Sequence, residues 1–477
     1  MNLKKLLKEL VSESIIYGFV GVISRFISFF TVPIFTNFLT PANYGVLNVV
    51  NSMIALVGLI VFLGLDVAYA RWFYDSKNEN DNKISFNSSI FFPIVVGLVS
   101  GLLIILFSSN ISIFLTNNIS NSFFIKIGGL NIALNILIQF CSQLFRLKRK
   151  PIKYLIFHLT NVLLNVGLSL LFIVKMELGL KGMFMSLGIS TLIIFLVSTV
   201  FLFKEFDLGL FQFTRTKKML NFSLPLIPGN IAFWLINSSA SFFLIKLSTS
   251  HDAGIFSIAN ALAYIAGLVY FSFDKAWPPF AFSVYKEDNS SNLFAKIAEL
   301  YCYLMVLICC FVALFSKDIL ILITTEAFHE AHWSATIISF NFIFIGLTSI
   351  FALGIELAKK TIEFGKALFV GAIITFLLNL FLIPYFGNIG ASMSLIISQA
   401  FIPIYVFKKS QKVYFIPYKS RKILLFLIAS ITFIISVKFV CEETKAPILI
   451  KIIIFAFFGT VLVVTNLKDL KKLFIKT

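Results

Sequence analysis

Residues 221–281 read NFSLPLIPGNIAFWLINSSASFFLIKLSTSHDAGIFSIANALAYIAGLVYFSFDKAWPPFA. Two long apolar runs flank a polar turn, LSTSHDAG at 247–254. Pro225 and Pro228 stand near the entry of the first run, and Pro278 and Pro279 at the exit of the second. Between them lie Asn230, Asn237, Ser241, Lys246, Asn260, Asp274 and Lys275. A helix facing only lipid would not carry these side chains. Backbone inside a bilayer must satisfy its own hydrogen bonds, so the runs read as a helical hairpin, polar on one side and lining something wet.

The rest of the chain sets that hairpin in a membrane. Of 477 residues 59% are hydrophobic, 58 are Phe, and mean hydropathy is +0.95, which places the chain outside the range of soluble domains. At about 20 apolar residues per crossing, the sequence predicts an all-α polytopic membrane protein of fourteen transmembrane helices. The spans are 15–38, 44–70, 86–107, 123–145, 152–174, 180–203, 221–248, 254–281, 293–315, 334–358, 365–385, 388–407, 423–440 and 448–466. The basic start MNLKKLLKEL precedes an apolar run too long for a signal peptide, so that run is expected to stay as the first helix.

Net charge is +18, which in a soluble protein would suggest nucleic acid. Here the cations fall in alternate short loops. With both termini cytoplasmic, the outer loops hold only Lys175, Lys181, Lys317 and Lys445 among the 40 Lys and Arg, as positive-inside topology requires. No nucleic-acid partner is expected. The five cysteines show neither paired nor metal-ligand spacing and read as small core residues.

The chain repeats itself. YGVLNVVNSMIALVG at 44–58 aligns with AGIFSIANALAYIAG at 253–267, matching Gly45, Asn51 and Gly58 to Gly254, Asn260 and Gly267. GLKGMFMSLGIS at 179–190 aligns with GNIGASMSLIIS at 387–398 at nearly the same offset. Two distant matches at one offset indicate a duplicated unit. The copies are a six-helix bundle over 13–204 and another over 221–412, with two further helices and a cytoplasmic tail at 421–477. An even number of spans gives both copies one orientation, a plan that transporters use to enclose a central cavity.

Helical spacing gathers the intramembrane polar groups into stripes. Gly18, Gly21, Arg25 and Ser28 share a face of the first span. Asn131, Asn135, Gln139, Ser142 and Arg146 follow one another along the fourth, and His158, Asn161, Asn165 and Ser169 along the fifth. Asn230, Trp234, Asn237 and Ser241 line the seventh, and Ser257, Asn260, Tyr264, Gly267 and Asp274 the eighth. Such amides and hydroxyls often only join helices, each contributing about 1 kcal/mol or less. Charges are costlier to insert, about 2.5–3.5 kcal/mol at mid-membrane, and are kept for a pathway or a partner.

The candidate cavity-lining residues are therefore Arg25, Asn51, Asn135, Gln139, Asn161, Asn230, Trp234, Asn237, Asn260 and Tyr264. Candidate ion-coupling residues are Asp66, Asp274, Lys275, Glu356 and His158, carrying protons or sodium; a buried, hydrogen-bonded histidine is the plainer account of His158. Lys126, Lys438 and Lys451 read as interface anchors, and Lys246 as a snorkelling side chain. FHEAHW at 328–333 spaces two histidines for one helical face but offers no third ligand, so no metal is expected. No nucleotide-binding, metalloprotease or serine-nucleophile motif appears, so no enzyme activity and no cofactor are expected.

Several stretches resemble the polysaccharide export family that includes the O-antigen flippases called Wzx, in the superfamily of MATE multidrug exporters and the lipid II flippase MurJ. They are PIFTNFLTPANYGVLNVV at 33–50, LGLDVAYARWFYD at 63–75, FSLPLIPGN at 222–230, DAGIFSIANALAYIAG at 252–267, AWPPFAF at 276–282 and NLFLIPYFGNIGASMSLIIS at 379–398. The resemblance extends over nearly the whole chain. The resemblance implies a flippase of the bacterial inner membrane. Its cargo would be an undecaprenyl-pyrophosphate-linked repeat unit of O-antigen (lipopolysaccharide), capsule or exopolysaccharide, and a polysaccharide polymerase complex is the candidate protein partner. It also implies a cationic lumen, to which Arg25 corresponds. The acidic–basic pair that relatives carry after WLINSS is missing, Ala240 and Ser241 standing there. The alternatives are a MATE-like cation or drug antiporter, which needs an acidic cavity, and a membrane glycan polymerase or ligase, which needs a large catalytic outer loop.

Overall fold

A computed structural model describes residues 30–358, 360 and 362–474, together with Ile23 and Ile27. Most of the expected first span, Arg25 included, lies outside the described residues. Among those described there is helix and turn but no strand. Eleven helices among the described residues are long and apolar enough to cross a membrane. One of these, Ile362–Ser410, has 49 residues. At about 1.5 Å rise per residue that is more than twice a hydrocarbon core of about 30 Å. Gly387 breaks it, with φ 49° and ψ −127°, and the second half folds back on the first, Ser394 Oγ donating to Thr375 O at 3.1 Å, so two of the expected spans lie in it as a hairpin.

The chain divides into two compact units, Met1–Gly254 and Ile255–Thr477. The first contains α1 (Pro41–Phe62), α2 (Leu65–Asp75), α3 (Glu79–Leu106), α4 (Ser108–Thr116) and α5 (Ser122–Leu147). It continues with α6 (Pro151–Ser169), α7 (Gly179–Leu202), α8 (Phe213–Ser223), α9 (Ile227–Ser238) and α10 (Ala240–Leu247). The start of α11 (Ser250–Val284) closes it. Its centre is α5, which packs on α1, α3 and α7. A buried seam of Ile125, Ile132, Ile136, Phe140 and Leu144 marks that central position.

Two expectations shift here. The span drawn over 44–70 ends at Phe62, because Leu63 and Gly64 both adopt positive φ, 48° and 68°. A separate short helix, α2, follows and packs against α3 and α8. The proline-rich entry to span seven is broken into pieces: α8, a 3₁₀ turn over Leu224–Leu226, then α9 with a proline in its first turn. Proline lacks the amide that a continuous helix needs, so the bend falls where Pro225 and Pro228 stand. Pro278 and Pro279, by contrast, are carried inside α11, which runs on to Val284.

The second unit holds the rest of α11, then α12 (Ser290–Ile323), α13 (Ala331–Ser339), α14 (Asn341–Leu357), α15 (Ile362–Ser410), α16 (Ser420–Glu443) and α17 (Ile448–Phe474). Here α12 is central, packing on α13, α14, α16 and α17, while α14 and α13 pack on α15. The last two helices, which have no counterpart in the duplication, are held by buried charge. Lys438 of α16 is 2% exposed. Its Nζ donates to Ala313 O at 3.0 Å and to Ser316 Oγ at 3.2 Å. It also pairs with Glu442 at 2.9 Å, and Glu442 in turn faces His332 Nδ1 at 3.0 Å. Lys451 of α17 pairs with Asp318 at 2.6 Å. Lys438 and Lys451 are therefore not interface anchors: their partners on α12 and α16 draw them into the bundle.

The duplicated segments adopt the same local structure. Gly179 and Gly387 both have positive φ, 53° and 49°, where the repeated motif begins. A Cβ on Gly182 would lie 3.0 Å from the Phe172 backbone, and one on Gly390 would lie 2.4 Å from Leu382 O. In both copies the second glycine of the motif lets the new helix start hard against the end of the one before.

Candidate functional site

In the first unit, polar groups meet at one end of α5. Gln143 Nε2 donates to Asp66 O at 3.3 Å, tying α5 to the start of α2. Arg146, exposed and one turn further on, donates to Gln143 Oε1. Its guanidinium lies within electrostatic range of the Asp66 carboxylate and the His158 ring. His158 Nε2 is 2.8 Å from Ser142 Oγ, and its ring lies 4.4 Å from that of Tyr154. Two of the ion-coupling candidates, Asp66 and His158, thus share surroundings with one exposed cation. Sequence reasoning placed Arg146 on the α5 stripe but counted it with the inner loop.

Further along α5, Asn135 donates to Asn131 O at 2.9 Å within its own helix, and Gln139 is exposed. Asn161 on α6 is half-buried, while its neighbour Asn165 joins Ser190 of α7 at 3.2 Å. Asn51 on α1 and Asn230 on α9 are exposed. Trp234 is half-buried, and its indole donates to Ser52 O at 3.1 Å, fastening α9 to α1. Asn237 donates to Phe233 O at 2.9 Å.

The second unit carries the remaining candidates. Asn260 donates to Phe256 O at 3.0 Å. Asn135, Asn237 and Asn260 thus all return one amide proton to the carbonyl four residues back. The Tyr264 ring, 41% exposed, lies 6.0 Å from Phe271 and 5.7 Å from Phe342. Asp274 Oδ1 accepts from Ser349 Oγ at 3.1 Å, and Trp277 donates to the carbonyl of the same serine at 3.2 Å. The Tyr270 hydroxyl and the Glu356 carboxylate both lie within electrostatic range of Asp274. The structure therefore brings Asp274 and Glu356 together and leaves Lys275 exposed. Among the described residues, no group of three or more His, Cys, Asp or Glu side chains is arranged to hold a metal.

A polar clasp escaped the sequence reading. Asn87, buried in α3, donates to Lys83 O at 2.8 Å and Glu205 O at 2.9 Å, and accepts from Asp207 N at 2.8 Å. Ser88 Oγ accepts from Gln212 N at 3.1 Å, and Thr216 donates to Ser88 O at 2.7 Å. Arg215 donates to Ser85 Oγ at 3.1 Å and pairs with Asp81 at 2.5 Å. The segment joining the two copies is thereby fastened to α3. The signal in the sequence is the polar run Asn87-Ser88-Ser89 within an apolar span.

Residues 10–285, more than half of the chain, match the family model described as polysaccharide biosynthesis protein. No curated protein sequence matches. Among solved structures, the chain is similar to the lipid II flippase MurJ in an inward closed conformation. The TM-score is 0.72 at 13% identity, over 96% of this chain and 99% of that one. It is also similar to an inward-facing multidrug resistance MATE family transporter of the MOP superfamily, with TM-score 0.65 at 13% identity over 81% and 94% of the two chains. At these identities the likeness establishes the fold, which is that of the MurJ and MATE transporters.

Proposed function

Because this chain belongs to the polysaccharide biosynthesis protein family, we propose that it is a flippase for a lipid-linked oligosaccharide of surface polysaccharide assembly. The family match carries the reading, and the MurJ-like fold supports it. The proposed cargo is an undecaprenyl-pyrophosphate-linked repeat unit, turned from the inner to the outer leaflet of a bacterial cytoplasmic membrane by alternating access. Its pyrophosphate needs cations. Arg25 supplies one in the sequence, and Arg146 is an exposed guanidinium able to offer a forked pair of donors. Exposed or half-buried amides at Asn51, Gln139, Asn161, Asn230 and Asn237, with the rings of Trp234 and Tyr264, supply hydrogen bonds and flat faces for sugars. Asp274 and Glu356, with the Tyr270 and Ser349 hydroxyls beside Asp274, form the proposed coupling site for a proton or sodium ion.

The rival is a cation antiporter of the same fold, favoured by that carboxylate pair. Reconstitution separates the two. Vesicles containing the protein are loaded with a fluorescent pyrophosphate-linked oligosaccharide, and its exposure on the far leaflet is measured. Flipping by the wild type, lost in Arg25→Ala and Arg146→Ala at matched protein level, is expected. Absence of flipping, together with proton-driven uptake of a cationic dye, would replace this function with the antiporter.

A further inference from the structure

The two aligned turns, LTPANYG at 39–45 and LSTSHDAG at 247–254, meet in the first unit. Thr40 caps α1, its Oγ1 accepting from Asn43 N at 3.3 Å. At the start of α11, 209 residues later, Thr249 Oγ1 accepts from Asp252 N at 3.0 Å. Each helix end is thus capped from within its own turn. The contact between them is reciprocal. A Cβ on Gly45 would lie 2.1 Å from Ser250 O, and a Cβ on Gly254 would lie 1.7 Å from Pro41 O. Under the repeat, Gly45 corresponds to Gly254 and Pro41 to Ser250, so the two contacts exchange under a local two-fold axis. Backbone meets backbone where only glycine leaves room.

We propose that this crossing is the outer gate of the transporter: the capped ends of the two copies close on each other through Gly45 and Gly254, and part when cargo leaves. The proposal rests on the alternating-access reading above. By the charge distribution, both turns lie on the outer side of the membrane. The contact joins one copy of the duplication to the other, which is where copies that move against each other must separate. Because each end keeps its own cap, parting leaves no helix terminus to rebuild. The sugar-binding candidates lie just behind it: Asn51 follows Gly45 by six residues, about 9 Å along α1, and Ser52 next to it accepts the Trp234 indole.

The test reads access from outside. The five native cysteines are buried, so Asn51→Cys serves as reporter for a membrane-impermeant maleimide applied to intact cells expressing the full chain. Gly45→Ala and Gly254→Ala each force a Cβ into a backbone carbonyl, so each is expected to raise labelling at least about fivefold. Gly58→Ala is the control: it lies on the same helix with nothing within 4 Å of its Cβ, and it should leave labelling unchanged. Unchanged labelling in both crossing variants, at normal protein level, overturns the gate. If the alanine variants do not accumulate, Thr40→Val with Thr249→Val loosens both caps without adding bulk at the crossing. A rise of about twofold is then expected from the lost caps, and no rise overturns the gate equally. Labelling that rises while glycan export, read in the same glycine variants with Asn51 intact, continues undiminished leaves the gate standing and refutes the flippase reading. Lost export with unchanged labelling refutes the gate alone.

Discussion

Replacing Lys438 with Met keeps the length of the side chain and removes its charge. In the native protein the ammonium bonds Ala313 O and Ser316 Oγ and pairs with Glu442, and it sits 5.0 Å above the Trp333 ring. The two bonds to α12 are worth about 0.6 kcal/mol each by the average for interhelical bonds in membranes. The larger loss comes from the partner left behind, since removing one member of a buried pair costs about 3–5 kcal/mol. Glu442 still faces His332 at 3.0 Å, which holds the cost near the lower end, about 3 kcal/mol. Lys438→Met with Glu442→Gln removes both charges and should recover part of the loss, giving a coupling of about 1–2 kcal/mol. The assay is a double-mutant cycle on unfolding in detergent, at one scan rate for all four proteins because membrane proteins often unfold irreversibly. A single variant as stable as the wild type, or a double variant less stable than the single by the full cost of a second loss, would refute the account of these charges as the tie holding α16.

Asn87→Ala leaves Glu205 O and Asp207 N without their partner and should lower stability by about 2 kcal/mol; it should also speed proteolysis of the 203–212 segment, read by limited trypsin digestion in detergent. Gly387→Ala, at φ 49° and ψ −127°, should cost about 1–3 kcal/mol in thermal unfolding. Gly179→Ala also meets positive φ but has open space around its Cβ, so strain alone should hold its cost to about 1–2 kcal/mol. Asp274→Asn keeps the bond from Ser349 and removes the charge; flipping driven by an ion gradient should fall several-fold while gradient-free exchange persists, measured in the same vesicles.

The spans were legible because about 20 apolar residues in a row have few folded destinations other than a bilayer, and the duplication because whole motifs recur at one offset. The features that stayed hidden depend on partners far away in sequence. Lys438 looked like a side chain reaching for the interface, since nothing within α16 but Glu442 reveals that α12, 122 residues earlier at Ser316, turns a hydroxyl toward it. Asn87 reads as an ordinary buried amide until the linker 118 residues later is seen lying on it. The break after Phe62 depends on two consecutive left-handed residues, and only one of them, Gly64, is a glycine. Asp274 and Glu356 enter the sequence reading separately, as coupling candidates on two different spans; their proximity follows from the packing of α11 against α14.

The crossing at Gly45 and Gly254 has a consequence for the ancestry of the chain. A contact in which residue i meets j while the counterpart of i meets the counterpart of j has the form of an isologous dimer interface. In an unfused ancestor, one glycine and one carbonyl would have made both contacts, and any substitution would have struck twice. Fusion released that constraint. Pro41 now corresponds to Ser250, and Asn43 to Asp252. Each side of the closure is free to be adjusted alone, so a machine that began symmetric can favour one direction of travel.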